Sequence, residues 1–263
     1  MLRLLRSSQG RAFFIYLIFM LLAVDKPHGI TSFDVIRKLK IFFSKQKTCP
    51  AAPVSRVGHS GTLDPFATGL MLVGVGSDTK KLTELTGLDK SYIATIDFSQ
   101  DSDTWDLQYR KEIADYRLQM ADGKAVGIEK ENKIILSPNL QQVQDKLNLL
   151  IPAYILPIPT FSAKKKDGKR SYDLARKGKS VEESKEMKIY SYKIIKYEFP
   201  LLGLQLDVGS GTYIRSIAHW LGEQFGLGGI LTALRRTSIG DFKLADYDMK
   251  IIPETEIKYC KIQ

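Results

Sequence analysis

GHSGTLDPFATG occupies residues 58–69 and leads directly into a short apolar run at residues 69–75. Within it, Pro65 favours an extended backbone at Asp64, and the flanking glycines let other groups approach the main chain closely. An aspartate placed in this way, just before a buried strand, can direct its carboxylate into a cleft. Asp64 is therefore a candidate catalytic residue; the competing interpretation is that Asp64 only caps a turn, as aspartate often does.

The apolar spacing on either side of this loop predicts a mixture of strands and helices. Strands are expected at 21–24, 69–75, 92–98 and 204–208, and helices after Thr31 or Ser32, at 77–87, at 138–150 and after Thr212. The first helix is expected to bury Phe33, Ile36 and Leu39. Because strands and helices interleave irregularly, we predict an α/β (α+β) fold whose mixed, mainly antiparallel sheet is flanked by helices and loops.

The charge balance favours a polyanionic partner. Thirty-nine Lys and Arg residues against 29 Asp and Glu leave a net charge of +10. Residues 164–179 concentrate this charge, with eight basic and two acidic side chains and Tyr172 among them. Such a run suits a loop that binds an RNA backbone through its phosphates. Such runs are more commonly a solvated surface, and an anionic membrane surface is the other partner that the net charge admits.

Cysteine and histidine usage excludes two classes of site. The chain has only Cys49 and Cys260, far apart in sequence, which is no disulfide framework and fits a reducing compartment. Its three histidines, His28, His59 and His219, do not stand at ligand spacing to one another or to cysteine. We therefore expect no metal site.

The first residues resemble a secretory signal, since basic side chains precede an apolar run at 13–24. That run is too short to cross a bilayer, and no small-x-small cleavage site follows it. We expect residues 21–24 to be a buried strand and residues 1–19 to be a poorly ordered extension or a mis-called start before Met20. A membrane-anchored protein is the alternative that this segment leaves open.

Two further positions attract attention for their chemistry. Arg215 is expected in the first turn of the helix that Thr212 would cap, where a cation gains nothing from the helix dipole. A carboxylate or phosphate partner would explain it, and an ordinary surface acid would explain it equally well. Tyr92 opens a predicted strand, where its ring either packs against the core or stacks on an RNA base.

Several motifs together resemble one family, the TruB-type pseudouridine synthases. The 58–69 loop resembles that family's signature, GHxGTLDPxATG. Five further blocks follow the family order: DKPHGITS at 25–32, KSY at 90–92, SDTWD at 102–106, GTYIR at 211–215 and LRRT at 234–237. The resemblance covers nearly all of residues 21–242. The segment 157–165 departs from the family pattern PPxYSAxK, because Phe161 stands in place of its tyrosine.

The resemblance implies a role for each matched residue. Asp64 would be the essential aspartate, Tyr92 would stack on the target base, and Arg215 would pair with Asp64. Lys26 would shape the active-site loop. The remaining implied RNA contacts are His59, Asp103 and, in the basic run, Lys164, Lys165, Arg170 and Tyr172.

The resemblance also implies the reaction and its setting. The expected activity is isomerisation of the T-loop uridine of tRNA, position 55, to pseudouridine after base flipping, with no cofactor and no metal. We expect a catalytic domain at 20–250 that carries an RNA-contacting insertion at about 107–180, and a C-terminal tail at 251–263 without a full RNA-binding domain. The expected protein is a cytoplasmic monomer that binds the T arm and no membrane.

Two alternatives remain beside this expectation. One is a non-catalytic RNA-binding protein, which would have no need of Asp64, Tyr92 and Arg215 together. The other is a guide-dependent enzyme that modifies ribosomal RNA. The little sequence that follows the LRRT block weighs against the second.

Overall fold

The computed structural model describes residues 2–6, 12–16, 20–45, 56–107, 117–122, 124–130, 133–160, 165–166, 169–170 and 183–262. The chain divides into two compact units. The first combines Met1–Leu88 with Arg236–Gln263, and the second is Asp89–Arg235. The polypeptide thus leaves the first unit, completes the second and then returns.

The first unit is built on antiparallel strands and two helices. Its elements are β1 (Leu2–Arg6), β2 (Ala12–Tyr16), β3 (Met20–Lys26), α1 (Ser32–Lys45), β4 (Val57–His59), β5 (Thr68–Val75), a 3-10 helix (Gly76–Lys81) and α2 (Leu82–Thr86). Strand β3 pairs with β5, and β4 also pairs with β5. Ala23, Leu70, Leu72 and Ile239 form a fully buried core cluster of this unit.

The C-terminal residues complete the first unit. They form β16 (Phe242–Lys243), a 3-10 helix (Leu244–Asp246), β17 (Lys250–Ile251) and β18 (Lys258–Ile262). Strand β18 pairs antiparallel with β3, from Lys258 opposite Asp25 to Ile262 opposite Leu21. Residues 258–262 are therefore part of the sheet that carries Lys26.

The second unit has its own strands and two helices. Its elements are β6 (Lys90–Asp97), β7 (Arg117–Ala121), β8 (Lys124–Lys130), β9 (Lys133–Leu136), α3 (Leu140–Asn148), β10 (Ala153–Pro157), β11 (Lys165–Lys166), β12 (Lys169–Arg170), β13 (Ser184–Glu198), β14 (Leu201–Val208), α4 (Ile214–Gln224) and β15 (Ile230–Ile239). The strands β10, β13, β14 and β6 are neighbours in that order, and each pair is antiparallel. β7, β8 and β9 form a separate antiparallel sheet. The last residues of β15 belong to the first unit and pair with β16.

These elements confirm the predicted mixture of helices with a mainly antiparallel sheet and correct it at two residues. Ile36 and Leu39 are buried as expected, but Phe33 is 72% exposed, because Ser32, Val35 and Phe43 form the rest of the buried stripe of α1. The N-cap of α4 is Tyr213; Thr212 instead donates its hydroxyl proton to the Lys188 carbonyl, at 3.2 Å.

The segments at the chain ends need separate mention. The buried strand predicted at 21–24 is confirmed within β3. Of residues 1–19, the backbone of β1 and β2 pairs antiparallel, and the rest lies outside the described residues. Among the helices that the structure describes, none combines the length and the apolar character that crossing a bilayer would require.

Candidate active site

The loop that carries Asp64 is held on both sides by groups from the start of the chain. Ser32, at the first position of α1, donates its hydroxyl proton to the Leu63 carbonyl (3.0 Å) and accepts the Leu63 amide proton (2.9 Å). The Pro65 carbonyl accepts from the Lys26 ammonium at 3.0 Å and from the Gly29 amide at 2.9 Å. The backbone immediately before and after Asp64 is therefore fixed, which limits the positions that its carboxylate can take.

A buried arginine holds the two ends of the same loop. Arg236 is 2% exposed; its Nε donates to the Leu70 carbonyl at 2.7 Å and its Nη2 to the Gly61 carbonyl at 3.1 Å. Gly69 has φ +103°, and a Cβ there would collide with the Arg236 carbonyl. The glycine that closes the signature thus lets the Arg236 backbone approach the loop.

Lys26 places a positive charge beside the loop. Its side chain is fully buried. Burial lowers the pKa of Lys26 from 10.5 to about 8, although the nearby negative charges of Asp64 and Asp34 act in the opposite direction. The Lys26 ammonium and the Asp64 carboxylate therefore stabilise each other's charged form at neutral pH.

His59 acts within the loop as a hydrogen-bond acceptor. Its Nδ1 accepts the Gly61 amide proton at 3.2 Å. Burial lowers the pKa of His59, and the positive charge of Arg236 lowers it further. The ring is therefore neutral at physiological pH with its proton on Nε2, and it stiffens the turn that precedes Asp64.

In the second unit, Arg215 occupies a buried ion pair. The side chains of Arg215 and Asp106 are 6% and 1% exposed, and Nη1 of the arginine lies 3.3 Å from Oδ2 of the aspartate. The same Nη1 donates to the Thr104 carbonyl at 3.0 Å. Asp106 also accepts the hydroxyl proton of Thr104 at 2.8 Å. A cation at the start of α4 is thus compensated by a carboxylate, as the helix dipole requires.

The turn 102–106 is closed by its own hydrogen bonds. Ser102 donates its hydroxyl proton to the Asp106 carbonyl at 2.8 Å and accepts the Asp106 amide proton at 3.1 Å. Asp103 is exposed at the tip of this turn. The turn therefore presents Asp103 outward and directs Asp106 inward to Arg215.

Tyr92 lies near the start of β6, opposite Leu206 of β14, and is 8% exposed. Lys90, two residues earlier and 7% exposed, donates its ammonium proton to the Ser210 hydroxyl at 3.2 Å. Ser210 lies in the turn that leads into α4. The start of β6 and the turn before Arg215 are thereby joined within the second unit.

The predicted site residues fall into three groups. Lys26, His59 and Asp64 belong to the first unit, where Lys26 and His59 are both tied to the loop of Asp64. Tyr92, Asp103 and Arg215 belong to the second. Lys164 and Tyr172 lie outside the described residues, and of Lys165 and Arg170 only the backbone pairing of β11 with β12 is described.

Three residues that hold the site were not predicted from the sequence: Ser32, Asp106 and Arg236. Each stands inside a block that the sequence analysis quoted, so the motif was the available signal. The motif does not identify the binding partner of each side chain, because that partner is distant along the chain. Within the part of the chain that the structure describes, no three His, Cys, Asp or Glu side chains are grouped to hold a metal ion.

Comparisons with known sequences identify the family of the chain. Residues 51–214 match the family model described as "TruB family pseudouridylate synthase (N terminal domain)". The chain is similar to the protein named tRNA pseudouridine synthase B in Chloroherpeton thalassium, at 33% identity over 85% of this chain and 84% of that one. The protein of the same name in Chlamydia felis is 38% identical, with the same shares covered.

Solved structures agree on the fold. A Cbf5-Nop10-Gar1 complex contains a chain with a TM-score of 0.59 at 22% identity, and an H/ACA RNP bound to a substrate RNA contains one with 0.56 at 20%. The matches cover 87% and 86% of this chain but only 51% and 49% of those chains, about half their length. The expected fold and the expectation of an enzyme are confirmed, and the chain belongs to the TruB family of pseudouridylate synthases.

Proposed function

We propose that this enzyme converts the T-loop uridine of tRNA, position 55, to pseudouridine, with Asp64 at the reacting centre. The tRNA substrate is suggested by the names of the relatives. The observation that carries the role of Asp64 is the attachment of both its neighbours, Leu63 and Pro65, to Ser32, Lys26 and Gly29. Such fixation is what a reacting carboxylate needs and a turn-capping one does not.

The chemistry is an isomerisation. The bond from N1 of uracil to C1′ of the ribose breaks, the base turns, and a bond from C5 to C1′ forms. C5 loses its hydrogen as a proton and N1 gains one, so no electron is transferred and no group leaves. The reaction therefore needs no cofactor.

An ionised carboxylate serves each route open to Asp64: attack on the sugar carbon, attack on the base, or removal of a ribose proton. The Lys26 charge favours that ionised form. In the proposal, Arg215 pairs with Asp64 during the reaction, and the ring of Tyr92 stacks on the target base. The base must first leave the folded T loop to be reached.

The remaining predicted residues are assigned to RNA binding. His59 and Asp103 would contact the flipped loop, and Lys164, Lys165, Arg170 and Tyr172 would hold the RNA backbone. We further propose that residues 20–250 act as one catalytic domain and that the enzyme works as a cytoplasmic monomer. Size-exclusion chromatography with light scattering would contradict the last point if it gave twice the mass of the chain.

The central test measures pseudouridine in an unmodified tRNA transcript, together with the release of tritium from uridine labelled at C5. Wild type should modify position 55 and release the label; Asp64→Asn should lose turnover by about 10⁴-fold or more yet bind the transcript as wild type does. Asp241→Asn, which neutralises an exposed aspartate in a turn, is the matched control. A wild-type protein that binds tRNA without product would establish the RNA-binding alternative instead.

The basic run has a test of its own. Reversing the charges of Lys164, Lys165 and Lys166 should raise KM and flatten its dependence on salt, by about 0.7–0.9 in the logarithmic slope for each phosphate that the variant no longer binds. The control reverses three exposed lysines of the first unit, Lys250, Lys258 and Lys261, for the same change in net charge. Equal salt slopes in the two variants would make 164–166 a solvated surface.

A further inference from the structure

Two aromatic rings stack beside Arg215, at positions to which the family motifs assign no residue. Trp105 occupies the variable position of the SDTWD block, and His219 lies on α4, four residues after Arg215. Their ring centroids are 4.2 Å apart and their planes differ by 7°. A parallel stack this close fixes the position and the tilt of both rings.

The His219 ring is itself oriented from the helix. Its Nε2 lies 3.4 Å from Oε1 of Glu223, one helical turn further on. The imidazole therefore has one edge directed to a carboxylate and one face applied to the indole. Arg215 and His219, also one turn apart, share the side of α4 that meets the turn 102–106.

Trp105 needs such support because of its backbone. Its φ is +57°, in the left-handed region that bulky residues avoid. Two hydrogen bonds accompany this conformation: the Trp105 amide donates to the Ser102 carbonyl, and the Leu231 amide donates to the Trp105 carbonyl, both at 3.1 Å. The stack on His219 adds a side-chain restraint on the same residue.

The left-handed residue stands between the two groups that bind Arg215. Thr104 precedes it and supplies the carbonyl at 3.0 Å, and Asp106 follows it and supplies the carboxylate at 3.3 Å. Both reach the same guanidinium nitrogen, Nη1. A change in the backbone of Trp105 would therefore move one or both acceptors away from Arg215.

We propose that Trp105 and His219 are a positioning pair: their stack holds the turn 102–106 in the conformation that fixes the Arg215 guanidinium for pseudouridine formation. This inference rests on the function proposed above. In this proposal neither ring contacts the reacting atoms. The pair acts through Arg215, so its loss should lower kcat and leave KM for tRNA nearly unchanged.

The test compares variants that keep a ring with variants that remove it. His219→Ala and Trp105→Gly abolish the stack, and the glycine also removes the backbone strain; we expect kcat to fall about 10- to 100-fold in both. His219→Phe and Trp105→Tyr keep two stacked rings and should retain kcat to within about threefold. Tyr154→Leu, which removes the ring next to Trp220 on the same helix, is the control and should leave kcat unchanged.

Three results would overturn the proposal. One is an unchanged kcat in a folded His219→Ala, the second is a His219→Phe as impaired as the alanine variant, and the third is an equal loss in Tyr154→Leu. A double-mutant cycle between His219→Ala and Asp106→Asn, read from denaturant unfolding, tests the coupling without any RNA. If the two losses of stability are additive, the stack does not hold the turn, even in an active enzyme. If the losses are coupled but the protein makes no pseudouridine, only the proposed function is contradicted.

Discussion

The loop 58–69 and the turn 102–106 are each held by buried cations, but by different means. In the loop, Lys26 and Arg236 bind backbone carbonyls. In the turn, Arg215 binds one carbonyl and the carboxylate of Asp106. A carbonyl carries no net charge, so the cations of the loop keep their positive charge, while Asp106 compensates that of Arg215.

This difference separates two tasks. The positive charge that remains at the loop favours an ionised Asp64, which is the form the proposed chemistry requires. The carboxylate of Asp106 offsets part of the desolvation cost of keeping Arg215 buried. We therefore expect the loss of the Asp106 carboxylate to cost the most stability, and losses in the loop to lower activity through Asp64 itself.

The largest effect is expected from Asp106→Ala. The variant leaves Arg215 buried without its carboxylate partner, which lowers the free energy of unfolding by about 3–5 kcal/mol. Urea unfolding of the variant and wild type measures this. Glu198→Ala breaks the exposed Lys196–Glu198 pair, with side chains 67% and 72% exposed, and should change nothing measurable. Equal losses in the two variants would mean that burial does not distinguish the turn.

A smaller loss of stability is expected from Arg236→Met, together with a loss of activity. The Leu70 and Gly61 carbonyls lose their donor, for about 2–4 kcal/mol in total, and the loop of Asp64 loosens. Unfolding and the single-turnover rate are measured on the same preparations. Arg37→Met, which removes an exposed arginine paired with Asp34, is the control. A destabilised Arg236→Met with a wild-type rate would show that the loop does not need this clamp.

Ser32→Ala tests the attachment next to Asp64 with a smaller change. The variant removes both hydrogen bonds to Leu63, for about 1–2 kcal/mol, and should lower kcat more than it raises KM. Ser44→Ala, in the same helix, removes an exposed hydroxyl that donates to Lys40 at 2.8 Å. A kcat equal in the two serine variants would remove Ser32 from the account of the site.

The smallest effect concerns the charge of Lys26. Because its pKa is lowered to about 8, the positive charge is present below that pH and is lost above it. We expect kcat/KM to fall by up to about tenfold for each pH unit between 8 and 9, whereas Lys26→Arg should stay flat there. Superimposable pH profiles of wild type and the arginine variant would contradict a role for this charge.

The same pKa predicts how stability changes with pH. The folded protein releases the Lys26 proton near pH 8, while the unfolded chain keeps it up to about 10.5. Unfolding therefore takes up a proton between these values, and the stability of wild type should rise with pH relative to Lys26→Met. A constant difference between the two proteins from pH 7 to 10 would contradict the lowered pKa.

The sequence predicts best what is written in consecutive residues. The strand before Asp25, the strand that follows the loop of Asp64 and the helix that carries Arg215 all follow from local spacing and are confirmed by the structure. Phe33 was misplaced because two helical faces fit the apolar pattern of α1 and only tertiary packing chooses between them. The hydrogen bonds of Ser32 and Arg236 to the loop of Asp64 were not predicted, because no local sequence feature identifies a partner that is distant along the chain.

The pairing of β18 with β3 has a consequence for how the protein is made. The ribosome synthesises residues 89–235, which form the second unit, before it reaches β18 of the first unit. The second unit can therefore fold early, while the edge of β3 that does not pair with β5 stays open until β18 is synthesised. Arg236, which holds the loop of Asp64, also emerges late. Full order at the loop of Asp64 is thus acquired only after the second unit has been synthesised.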